Sequence, residues 1–146
     1  MKYGFYGAES KAVKPIHAGY EKIADQRDLY LLLCDCWCVE TCAPRLRGEW
    51  SFENKTVGQC SITSFLIQDI FGGEVYGVPL ENGGFHCYNV VGQSKFDLTS
   101  EQFGGKTLPY DDQHPQSREE HFADEEKKAR YLLLKKKLSE KLKDNN

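Results

Sequence analysis

No stretch of this chain is long and apolar enough to span a bilayer. Its most apolar run, Leu29 to Cys34, falls far short of the roughly 20 residues a spanning helix needs. The opening residues, MKYGFYGAESKAVKP, lack the apolar core of a secretory signal. A cytoplasmic, membrane-free protein is therefore the expectation. Charge of one sign is scarce too: 19 Lys and Arg stand against 22 Asp and Glu, a net charge of −3. That excludes the domain-scale basic face by which nucleic acid is bound. Basic residues gather near the C-terminus, but Asp124, Glu125, Glu126 and Glu140 interleave with them. Internal repeats and low-complexity tracts are also missing. What is present is ordinary globular usage, 40% hydrophobic and 28% charged over 146 residues, which suits one domain with a substantial core. Six cysteines without an export signal read as thiols, not as a disulfide framework.

Hydrophobic spacing supplies the elements. Residues 1–24, interrupted by Gly4, Gly7, Pro15 and Gly19, read as mostly irregular. Asp25 is a good N-cap for a helix reaching Cys38, with Leu29, Leu32, Leu33, Cys36 and Trp37 on one stripe and Pro44 stopping it. Tyr30, Leu31 and Cys34 lie on other faces, so this helix should be buried nearly all round. Arg45 to Gly58 reads as a connecting loop. A second helix starts at Cys60, carries Ile62, Phe65, Leu66 and Ile70 inward, and ends at Gly72-Gly73. EVYGVPL reads as a strand broken by Gly77 and Pro79, and FHCYNVV and KFDLT as two more strands. Gly92-Gln93 between the last two suits a two-residue type II′ hairpin. After a polar loop from Tyr110 to Arg118, a helix over 119–143 shows Tyr131, Leu134, Leu138 and Leu142 at turn spacing. The fold class is α+β: N-terminal helices on a short antiparallel sheet, with a C-terminal helix across it.

The hairpin can be put in register by counting. With Gly92 and Gln93 as the loop, Val91 faces Ser94, Asn89 faces Phe96, Tyr88 faces Asp97 and His86 faces Thr99. His86, Tyr88, Asp97 and Thr99 then share one sheet face, and Asp97 stands diagonally from His86, where a carboxylate can orient an imidazole. Cys60 is the natural partner of such a histidine, because a helix N-terminus lowers a thiol pKa. The expected constellation is Cys60 as nucleophile, His86 as general base and acid, and Asp97 as orienter. The Cys60 backbone N–H would stabilise an oxyanion, with Gln59, or less directly Asn54, as the side-chain donor.

A cysteine heading a helix, followed by His and Asp on successive strands, resembles the papain-like superfamily, whose compact members include the NlpC/P60 and transglutaminase-like enzymes. More closely, WCVETCAPRLR, WSFENKTVGQCSITSFLIQDIFGGEV, FHCYNVVGQSKFDLTSEQFG and HFADEEKKARYLLLKKKL resemble the YunG-like family of small bacterial proteins, over roughly Trp37 to Leu138. The resemblance implies a bacterial source and a compact papain-like core. It names no reaction or substrate. It departs from the papain pattern in having no aromatic residue directly after Cys60, and the short span from Cys60 to Asp97 leaves little chain for an elaborate cleft.

Each feature has a plainer reading beside it. Cys60 could be a small buried hydrophobe, His86 a structural strand histidine, and Asp97 a turn-adjacent cap. Thr99 could N-cap a short helix, with Gln102 completing a capping box. Cys34, Cys36, Cys38 and Cys42 raise a zinc hypothesis, in which Cys34 and Cys38 share a helix face and His17 or Cys87 completes the set. Their C-x-C-x-C-x3-C spacing is not a paired C-x-x-C pattern, however, and packing against the Cys60 helix is the preferred role. Cys87 points to the sheet face opposite His86 and reads as core, while His114 and His121 carry no assigned role. Trp37 and Trp50 read as core and loop anchors. The reading is thus a cysteine-dependent hydrolase or acyltransferase acting on a small amide, thioester or isopeptide-like bond of a small-molecule or protein substrate. It needs no cofactor or metal. The alternatives are a non-catalytic binding or regulatory module and a cysteine-rich zinc protein.

Overall fold

The computed structural model describes residues 4–144. The chain is mixed α+β: α1 (Gln26–Cys34), α2 (Cys60–Phe71), β1 (Glu74–Pro79), β2 (Phe85–Val91), β3 (Ser94–Phe96), α3 (Arg118–Phe122) and α4 (Glu125–Asp144), with short 3-10 turns between. The three strands form one antiparallel sheet in the order β1-β2-β3. Among the described residues no helix is long and apolar enough to cross a membrane.

α2 is the centre of the core. Ile62, Phe65, Leu66, Ile67 and Ile70 are all essentially without solvent contact, because apolar residues surround this helix instead of lining one stripe. β2 packs on one flank. On the other, α4 buries Tyr131, Leu134, Leu138 and Leu142, the four residues its turn spacing singles out. α1 adds Leu29, Leu32 and Leu33, and none of its residues is fully exposed.

α1 ends at Cys34, short of the expected Cys38. The Asp35 N–H donates to the Leu32 carbonyl and the Cys36 N–H to that of Leu33, so the last turn tightens. Lys55 Nζ takes the Cys34 carbonyl at 2.8 Å, and the Trp37 indole donates to Thr63 Oγ1 at 3.0 Å. Tertiary partners thus end the helix before its apolar stripe does. Pro44, expected to stop this helix, instead opens a 3-10 turn over Pro44–Glu49.

The segment before α1 is irregular where it is described (its first three residues lie outside the described residues), yet it is anchored. Buried Gln26 accepts the Val13 N–H and donates to the Lys11 carbonyl. β1 runs unbroken through Gly77, where any Cβ would lie 2.9 Å from Phe85 and 2.7 Å from Gln116, so glycine here permits close packing without interrupting the strand. The C-terminal helix divides: α3 starts on a Ser117 cap, and Asp124 Oδ1 accepts the Lys127 N–H as α4 begins.

Candidate functional site

The turn ahead of α2 explains why glycine and glutamine precede Cys60. Gly58 adopts φ +72, and a Cβ there would meet Cys42 Sγ at 2.6 Å and the Ala43 nitrogen at 2.8 Å. Only glycine combines that conformation with that contact. The Ala43 N–H donates to the Gly58 carbonyl, and the buried Gln59 amide donates to the Cys38 carbonyl at 3.1 Å. The cysteine segment 38–42 therefore braces the turn that delivers Cys60 to the first position of α2. No side chain caps this helix end, so its leading N–H groups carry an uncompensated partial positive charge.

His86 comes from β2. The counted register is correct where the strands pair: Val91 faces Ser94 and Asn89 faces Phe96. Gly92, at φ 58, supplies the positive φ that a type II′ turn needs at its first central residue. β3 stops at Phe96, so the expected pairings of Tyr88 with Asp97 and His86 with Thr99 are not formed. Asp97 instead bridges to Tyr6, its N–H donating to the Tyr6 carbonyl at 3.0 Å. The half of β2 holding His86 therefore has no strand on its β3 side. His86 Nε2 meets Asp97 Oδ2 at 2.6 Å, and both residues are 1% exposed. The other ring nitrogen is left for Cys60, with which the ring shares a hydrogen bond.

Three further groups hold this arrangement. Tyr110 donates to Asp97 Oδ2 at 2.7 Å, and the Thr99 N–H and hydroxyl both donate to Oδ1, at 3.1 and 3.2 Å. The Phe103 ring stands edge-on to His86, centroids 4.7 Å apart. Thr99 does precede a 3-10 turn, Ser100–Phe103, but its hydroxyl turns back to Asp97 and does not cap the turn.

The electrostatics follow from these neighbours. Hydrogen bonding from the Cys87 thiol, the charge and hydrogen bond of His86, and the Cys87 N–H hold Cys60 well below the ordinary thiol range, against the opposing effect of burial. Burial disfavours the His86 cation, but the Asp97 carboxylate and the Cys60 thiolate outweigh it and push its pKa up to about 10. Cys87, as donor to Cys60 in a buried position, is held well above the thiol range. The lowered thiol and the raised imidazole thus favour each other's charged form.

Cys60 and His86 open onto a cleft of about 1010 Å³, lined also by Arg45, Asn54, Leu80, Phe85, His114 and Lys127. Most of its walls come from outside the short Cys60–Asp97 span, chiefly the 43–58 and 113–130 segments on either side, while Leu80 and Phe85 line it from within. His121, at its edge, accepts from Lys127 Nζ at 2.9 Å and packs on Phe65. Burial and then Lys127 keep its pKa low, so it is neutral.

Of the residues singled out in the sequence, Cys60, His86 and Asp97 meet, and Asn54 faces the cleft. The Gln59 side chain is turned away, toward Cys38. Cys34, Cys36, Cys38 and Cys42 are all free, and among the described residues no three His, Cys, Asp or Glu side chains gather as a metal site would require. Tyr110 escaped sequence reasoning because a polar, proline-containing loop has no periodicity to show which side chain turns inward. Cys87 does lie on the sheet face opposite His86, but α2 begins at the strand's flank and Cys60 touches both.

A protein-family model described as YunG protein matches residues 25–143, a span that begins at the α1 cap and includes the whole constellation. The uncharacterized protein YunG of Bacillus subtilis (strain 168) is 40% identical over 78 residues, which is 53% of this chain and 64% of the relative. The match therefore spans less than two thirds of that relative's length. No solved structure matches the chain.

Proposed function

The chain belongs to the YunG family, and from its site we propose that this member is a cysteine-dependent hydrolase or acyltransferase acting on an amide, thioester or isopeptide-like bond. One observation carries the reading: a buried imidazole held between the Asp97 carboxylate, at 2.6 Å, and a thiol at the head of a helix and the edge of a cleft. In this reaction the Cys60 thiolate attacks the acyl carbon and its negative charge passes to the carbonyl oxygen. The leading N–H groups of α2 stabilise that oxyanion, with Asn54 as the side-chain donor in place of Gln59. His86 gives its proton to the leaving amine or thiol, and a thioester to Cys60 remains. His86, now neutral, takes a proton from water or an acceptor amine, which attacks the thioester and frees Cys60. Asp97 holds the ring and balances its charge throughout.

We further propose that the core is papain-like. Support comes from the chain order: a cysteine-headed helix packed on an antiparallel sheet that supplies His and then Asp. A second reading, a cleft that binds without turnover, is favoured by the engagement of Gln59 with the Cys38 carbonyl, which removes one amide from the oxyanion position. The test is a panel of fluorogenic amides, thioesters and isopeptides assayed with wild type, Cys60→Ser and His86→Ala. Turnover with a trapped Cys60 thioester, lost in both variants, supports catalysis. Binding of panel compounds in the cleft without a covalent adduct supports the second reading.

A further inference from the structure

The hydrolase reading uses Cys87 only as a hydrogen-bond donor to the nucleophile, although it is itself a buried thiol in contact with that sulfur. This contact follows from the packing of α2 on β2. Asn89 Nδ2 donates to the Ser64 carbonyl at 2.9 Å, which sets that face of β2 against α2. From Ser64 back to Cys60 is one helical turn, a rise of about 6 Å. From Asn89 back to Cys87 is two strand residues on the same face, about 6.6 Å. The two steps match, so the register that pairs Asn89 with Ser64 also sets Cys87 beside Cys60. Both its thiol and its backbone N–H bond to the Cys60 sulfur. Cys60 is reached from the cleft, whereas Cys87 has no exposed surface.

We infer that Cys60 and Cys87 form a peroxide-responsive dithiol pair, in which a hydroperoxide oxidises Cys60 and Cys87 closes it as a disulfide. The Cys60 thiolate attacks the O–O bond. The outer oxygen leaves with a proton as water or an alcohol, and the sulfur is oxidised to a sulfenic acid. The Cys87 sulfur then attacks the Cys60 sulfur. The S–O bond breaks, hydroxide departs with the Cys87 proton as water, and the S–S bond forms. A dithiol reductant returns both thiols. Burial of Cys87 suits this second step: it cannot meet peroxide itself, yet it lies within reach of the oxidised sulfur, which is thereby spared sulfinic acid. The inference rests on the thiolate part of the proposed function and not on acyl transfer.

The test treats fully reduced protein with increasing hydrogen peroxide, with and without dimedone, followed by mass mapping without reduction. The expected result is loss of two hydrogens from the intact mass, a peptide linking Cys60 to Cys87, and no dimedone adduct. Alkylation of Cys60 is lost and dithiothreitol restores it. Cys87→Ala, where it folds, accumulates the dimedone adduct on Cys60. Wild type alone decides if it does not. The inference is overturned by dimedone adduct or sulfinic acid on Cys60 of the wild type without linkage, by linkage of a different pair, or by a Cys60 that resists peroxide. Disulfide formation in a protein inert toward every acyl compound would sink the hydrolase and leave this pair standing.

Discussion

Cys36 and Cys60 are both thiols packed at the end of a helix, yet their surroundings drive them in opposite directions. Cys36 lies two residues past the end of α1, where the helix presents its negative pole. Burial, then the neighbouring Asp35 carboxylate, pushes its pKa up to about 11. Cys34 and Cys42 are also raised, chiefly by burial. Cys60 opens α2 at the positive pole, with a thiol donor and an imidazolium as neighbours, and is lowered. The lesson is that cysteine count and spacing say little about reactivity. Which end of a helix the sulfur meets, and what donates to it, decides whether it is a thiol or a thiolate.

The strongest way to break this contrast is to remove the imidazole. Near pH 6, iodoacetamide should modify Cys60 selectively, with Cys36 and Cys42 essentially unlabelled. His86→Ala should slow Cys60 alkylation on the order of a hundredfold, since a thiol returned toward its ordinary pKa is almost entirely protonated there. Equal labelling of Cys36 and Cys60 in the wild type, read by peptide mass mapping, would remove the distinction on which the site depends.

Asp97→Asn tests the carboxylate. It keeps the shape and leaves Tyr110 and Thr99 facing an amide in place of a carboxylate. Breaking a buried charge pair costs about 3 kcal/mol in denaturant unfolding, and Cys60 alkylation at pH 6 should fall about tenfold, the effect of a one-unit rise in the thiol pKa. Tyr110→Phe removes one donor among several. It should cost about 1 kcal/mol and leave alkylation nearly unchanged. If both variants slow Cys60 alike, Tyr110 does more than anchor the carboxylate.

These residues also show how far sequence reading reaches. The α2 stripe, the α4 stripe, the hairpin turn and two cross-strand pairs were legible because each follows a local period or a turn rule. The counting that set Asp97 beside His86 used strand pairs that do not form; the two side chains meet with Asp97 beyond the end of β3, bridged to Tyr6. What local rules could not reveal was the early end of α1, which depends on Lys55 and Thr63 from elsewhere in the chain. The same holds for Gln59, whose amide is claimed by a carbonyl 21 residues away, and for Tyr110, which reaches Asp97 from a loop. The helix stripe continued past Cys34 and so placed Cys38 one turn above it, a placement that tertiary hydrogen bonds overrule.

A subtler break is thermodynamic. The raised pKa of His86 alone would stabilise the fold fully below its ordinary 6.5, a contribution lost as pH rises through about 10. The lowered pKa of Cys60 alone would stabilise above its ordinary 9.0 and be lost as pH falls through its depressed value. Where Cys60 is a thiolate and His86 an imidazolium they hold one proton, the number the unfolded chain binds between 6.5 and 9, so the slope of stability with pH is zero there. Below 6.5 the unfolded chain binds an extra proton and stability falls. Above 9 it releases one that the folded pair still holds, and stability falls again. In Cys60→Ser only His86 remains, and stability should decline steadily as pH rises from 6.5. Thermal midpoints across pH 5 to 10 distinguish a plateau from a slope, and a plateau that survives in Cys60→Ser would mean that no thiolate forms.

The smallest expected effect is at the other thiol. Cys36→Ala removes a sulfur that is 3% exposed and packed in the core with α1 and Trp37. It leaves a small cavity costing on the order of 1 kcal/mol. The charged groups around it, Asp35, Lys137 and Lys141, are not those that act on Cys60. Stability should drop while the alkylation rate and pH profile of Cys60 stay within about twofold of wild type, inside the additivity expected of separated sites. A larger change in the Cys60 profile would mean that the two thiols report on one coupled unit, and the opposition between their helix ends would no longer explain their difference.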